Sequence, residues 1–245
     1  MSPYQEYLGT YTWVPGITWD FSTLTLSIYN GIMPVQTIPC LTVHLPEEKA
    51  AGFAALLQHG MLYQVEQSVA MGDFLLSLPG FSREYLEETV QTIFLNGVAA
   101  DSFAAPLVSG STLALSAAMP GLAGAIFRRE GRHGSLRSQT GGTRPGAATG
   151  SGYIKLKLFN KIATDKVAAL LAAGILVEAK DLCAFAGRRG DLFQTPGAME
   201  LNSTAMPYEQ MLQALDQYSL VTVRTAALPG KEGSLAGSAS GSLCN

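Results

Sequence analysis

The sequence predicts an α+β protein, and three observations carry that expectation. Of its 245 residues 47% are hydrophobic and only 14% charged, a balance that supports a buried core. Short stretches alternate apolar and polar residues with the period of a strand. Between them run segments with helical spacing, opened by proline, serine or threonine and stopped by glycine.

The elements follow in order. Thr23 to Tyr29 sets Leu24, Leu26 and Ile28 against Thr25 and Ser27, a half-buried strand, with Asn30-Gly31 as the turn after it. Residues 41–45 repeat the alternation and are expected to pair with it, although Pro34 and Pro39 interrupt the segment between. Pro46-Glu47-Glu48 opens a helix that places Ala50, Phe53 and Leu57 on one face and ends at Gly60. Leu62, Val65, Val69 and Leu76 continue a helical spacing up to Pro79-Gly80. Ser82 is placed to cap a short helix with Phe81 and Leu86 as its staple, and strands are expected at Val90 to Leu95 and Thr112 to Ser116. Beyond a Gly-rich stretch, Tyr153 to Phe159 alternates again, Thr164 caps a helix stopped by Gly174, and a short helix covers Asp181 to Phe185. A helix through Tyr208, Met211, Leu212 and Leu215 and a strand from Ser219 to Thr225 complete the series. No internal repeat is expected.

Composition and charge divide the chain. Residues 1–127 hold two bases against ten acids, 128–189 twelve bases against four acids, and 190–245 two against five. Arg128 to Gly152 is dense in Gly, Ser, Thr and Arg and reads as a connection; residues 229–245 read as a flexible tail. The expected organisation is therefore a domain over 1–127, a basic Gly/Arg-rich connection over 128–152, a small strand-helix-helix-strand domain over 153–228, and the tail. Such charge asymmetry points to an anionic partner for the middle or to attraction between the halves. No apolar run has membrane-spanning length and the start lacks a basic then apolar stretch, so no membrane association and a cytoplasmic location are expected. Cys40, Cys183 and Cys244 are odd in number and widely spaced, which argues against a disulfide framework or a thiolate metal site.

The run from Thr89 to Gly124 has an apolar strand ending in Asn96-Gly97, a polar stretch to Ser109-Gly110, and a final strand leading to Gly121 and Gly124. In this it resembles the β-grasp (ubiquitin-like) sulfur-carrier proteins of thiamin and molybdopterin synthesis. The resemblance implies a β-grasp-like fold for the amino-terminal domain. It does not imply the carriers' chemistry, which activates a chain-terminal Gly-Gly; here the glycines are separated and more than a hundred residues follow.

Chemical motifs are few. His44, His59 and His133 lack the spacing of paired metal ligands, there is no nucleophile elbow, and Gly141-Gly142-Thr143-Arg144-Pro145-Gly146 lacks the lysine of a phosphate loop. No cofactor or metal is implied. One constellation has chemical content: Arg128, Arg129, Arg132, His133 and Arg137 among Gly131, Gly134 and Ser135. Guanidinium forks grip phosphate or carboxylate, and glycines let backbone N–H groups approach an anion. Aromatics do not interleave with these arginines, so nucleic acid is not the expected partner. Seven of the 21 aromatics lie within residues 1–29, an arm that packs on its own domain or on a second copy of the chain. The leading expectation is a non-catalytic binding or accessory module that holds an anionic small molecule or an acidic partner at the Arg/Gly segment. The alternatives are a transferase or lyase on a phosphate- or carboxylate-bearing substrate, with His133 as acid/base, and an oligomeric scaffold.

Overall fold

The computed structural model describes residues 17–20, 25–28, 38–131, 151–194 and 199–227. The chain divides into two units, 1–38 and 39–245. In the first, β1 (Ile17–Asp20) and β2 (Thr25–Ile28) form an antiparallel hairpin. The strand expected from Thr23 to Tyr29 therefore pairs with β1, not with residues 41–45.

The second unit is an α+β assembly on one ten-stranded mixed sheet. Its strands are β3 (Cys40–His44), β4 (Met61–Val65), β6 (Thr92–Leu95), β7 (Val98–Ala100), β9 (Thr112–Ser116), β10 (Gly152–Phe159), β11 (Ile175–Glu178), β12 (Met199–Leu201), β13 (Thr204–Ala205) and β14 (Leu220–Ala226). They lie in the order β13-β12-β3-β14-β11-β4-β10-β9-β6-β7, while β5 (Val69–Ala70) and β8 (Pro106–Leu107) pair separately. The helices are α1 (Ala54–His59, extending a 3-10 turn over Glu47–Phe53), α2 (Met71–Leu76), α3 (Arg83–Glu88), α4 (Gly121–Phe127), α5 (Asn160–Ala173), α6 (Ala179–Arg188) and α7 (Tyr208–Leu215).

Several expectations hold with small changes at their edges. Gly60 and Gly174 end their helices with φ of +121° and +92°, and the Ser82 hydroxyl accepts from the Tyr85 N–H at 3.1 Å. Others are corrected. The small carboxy-terminal region also contains β11 and the β12-β13 hairpin, beyond strand-helix-helix-strand.

The separation into domains at 1–127 and 153–228 gives way to interlocked halves. Strand β3 runs parallel to β14 and β10 runs parallel to β9, so each half lends its first strand to the last strand of the other. The halves also repeat. LTVHL (41–45), FAALLQHGMLYQV (53–65), FLNG (94–97) and AAMPG (117–121) return as IKLKL (154–158), VAALLAAGILVEA (167–179), ELNS (200–203) and AALPG (226–230). Both hairpin turns place their asparagine in the left-handed region, Asn96 at φ +53° and Asn202 at +51°. The absence of an internal repeat is thus overturned; the longest match covers a helix, its glycine stop and the strand after it, α1 into β4 in one half and α5 into β11 in the other.

The core fills one face of the sheet. Leu113, Leu115, Leu156, Leu158, Val177 and Val221 are fully buried there. Phe53 of the first half packs against Phe185 and Phe193 of the second, with ring centroids 5.4 Å apart in both pairs. Burying each such ring contributes about 2–3 kcal/mol, so the halves share a core as well as a sheet.

Candidate functional site

The sheet's other face carries the alternate residues of each strand. Thr92 lies opposite Ser116, Phe94 opposite Ala114, and Ser116 opposite Phe159, so these side chains from β6, β9 and β10 share that face. Small residues at Gly97 and Ala114 leave room over the strands. The result is a groove of about 470 Å3 between Phe94 and Phe159, with Thr112, Ser116, Met119 and Asn160 among its lining.

At the end of β9 the chain turns through Pro120 into α4, which closes this corner. Gly124 is needed for the closure, since a Cβ there would meet the Met119 carbonyl oxygen at 1.8 Å. Phe127 packs on Phe94 with centroids 5.3 Å apart, whereas Leu122 is 72% exposed. Beneath the helix lies a second cavity of about 210 Å3, lined by Gln91, Thr92, Ala118, Met119, Gly124, Ala125 and Arg128. Thr92 is 1% exposed and its hydroxyl has no hydrogen-bond partner. A buried hydroxyl left unpaired costs about 1–3 kcal/mol.

The basic segment begins here, and its first four residues, 128–131, are described. Arg128 lines the smaller cavity. Arg129 is engaged elsewhere: its backbone N–H donates to the Gln91 carbonyl at 2.7 Å, its guanidinium donates to the Glu87 carbonyl at 3.2 Å, and it lies 4.5 Å from the Phe103 ring centre. The Glu130 N–H donates to the Asp101 carboxylate at 2.9 Å. The connection therefore begins as an anchored stretch. Arg132, His133 and Arg137 lie outside the described residues, as do Arg144 and Cys244.

Asn160 sits at the junction of β10 and α5 with φ of +52°, and its side-chain amide donates to the Ser116 hydroxyl at 3.0 Å. A left-handed residue other than glycine is uncommon and concentrates at functional positions. Thr92, Ser116, Met119 and Asn160 were outside the residues singled out by sequence. The available signal was the alternation that puts Thr92 with Phe94 and Thr112 with Ala114 and Ser116, and it becomes a site only once the register is known.

Comparison with protein-family models, curated proteins and solved structures finds no match.

Other reactive groups among the described residues are engaged in packing or pairing. His44 Nδ1 donates to the Ala227 carbonyl at 3.1 Å, and His59 Nε2 accepts from Arg188 at 2.9 Å. Burial, with Asp216 adding to it, pushes the Cys183 thiol up, away from the reactive thiolate. Among the described residues no group of three or more His, Cys, Asp or Glu is placed to hold a metal, and no helix is long and apolar enough to cross a membrane.

Proposed function

We propose that this chain is a non-catalytic binding or accessory module that holds an anionic small molecule, or the acidic group of a partner, at the cavity beside α4 where the basic segment begins. The observation that carries the reading is a cavity lined both by Arg128 and by Thr92, whose buried hydroxyl has no partner. A threonine and an arginine at one cavity suit an oxyanion, which accepts from hydroxyl and guanidinium donors alike. Within the α+β frame, we read the amino-terminal part up to residue 127, with strands β4, β6, β7 and β9, as β-grasp-like. We read the compartment as cytoplasmic, in keeping with three widely spaced cysteines.

The test compares phosphate with chloride at equal ionic strength. Phosphate is expected to raise Tm beyond the chloride control. Thr92→Val is expected to abolish that difference while raising stability in chloride by about 1 kcal/mol, because it removes an unsatisfied hydroxyl without changing volume. Arg128→Ala is expected to abolish the phosphate effect as well. A phosphate effect that survives both substitutions, or that is absent from the parent, overturns the reading.

A further inference from the structure

We infer that the ligand is amphipathic: an organic acid whose anionic end lies at Thr92 and Arg128 and whose apolar body lies in the groove between Phe94 and Phe159. The inference rests on the anion site proposed above and assigns the chemical class of its ligand. Met119 lines both cavities, and Thr92 of the smaller one is the direct cross-strand partner of Ser116 in the larger. The two spaces thus share one lining residue and lie on either side of one cross-strand pair. Their chemistry differs in the sense an amphipathic molecule requires. The smaller is lined by Arg128 and by Thr92, whose hydroxyl is buried without a partner. The larger has two aromatic walls and a floor at Ala114, with its polar groups confined to Thr112, Ser116 and Asn160. At about 470 Å3 it is in the range that takes a small organic molecule, whereas an inorganic anion needs only the smaller cavity.

Monoalkyl phosphates from methyl to octyl test this, because the head is constant and only the apolar body grows. Affinity measured by calorimetry is expected to rise about two- to fourfold per added methylene until the groove is filled. Ala114→Leu, which fills the floor, should flatten that dependence; Phe159→Ala, which removes a wall, should weaken octyl phosphate more than methyl phosphate. Thr92→Val should weaken every member of the series alike. Equal affinity for methyl and octyl phosphate overturns the amphipathic ligand and leaves the anion site standing. A chain-length dependence that persists in both groove variants places the alkyl chain elsewhere and also overturns it. No binding by any member, with no phosphate effect on Tm, removes the anion site and the inference together.

Discussion

Glu178 shows how one residue can report on the sheet. It stands at the end of β11, where Lys155 of β10 donates to it from across β4 and Lys180 donates at 2.5 Å. These two ammonium groups hold its carboxyl at about 2, against an ordinary 4.5. A carboxyl depressed in the folded state stabilises above its unfolded value, and that contribution is lost as pH falls from about 4.5 through about 2. Acid titration of Tm should therefore decline over that window, and Glu178→Gln should make the decline shallower. Equal slopes in parent and variant would show that the pair is screened by solvent. The candidate site has the same character at this scale. Thr92 is an unremarkable strand residue in sequence, and only its burial without a partner marks it. Arg128, by contrast, was legible from the composition of its segment.

At the scale of elements, the two helices that cross between parallel-running strands end alike, at Gly60 and Gly174. Both have positive φ with an extended ψ, a region open to glycine and strained for other residues. Gly60→Ala and Gly174→Ala are each expected to cost between about 1 and 3 kcal/mol in chemical denaturation. Gly60→Ala should cost more, since its Cβ would meet the Lys155 Cγ at 2.8 Å, whereas that of Gly174 meets the Thr222 methyl at 3.4 Å. Equal stability of the Gly60 variant and the parent would mean that β4 does not depend on this turn. Both glycines were readable as helix stops. What followed them was harder, because in Met61 to Val65 the alternation of a strand coincides with apolar positions that also fit a helix.

For the whole molecule, interlocking predicts that neither half folds alone. A fragment of residues 1–130 lacks β10, the partner of β4 and β9, and lacks β14, the partner of β3. It leaves Phe53 without Phe185 and Phe193. That fragment is expected to show no cooperative thermal transition, and mixing it with residues 131–245 should restore one. A cooperative transition in the first fragment by itself would show that the shared sheet is dispensable. Loss of edge pairing on this scale also exposes strand edges, so the isolated fragment should aggregate on concentration.

The sequence by itself determined the class of the fold, most of its strands and helices, the glycine stops and the basic segment that begins at Arg128, since each rests on local periodicity or composition. It also contained the repeat, in fragments whose likeness depends on knowing that Met61–Val65 and Ile175–Glu178 are both strands. Only the tertiary structure decided which strands pair. Local propensity sets where a strand forms but carries no term for its partner, and here the partners β3 and β14 are separated by most of the chain. The candidate site follows from that pairing: Thr92, Ser116 and Phe159 become neighbours because hydrogen-bonded register across three strands places them side by side.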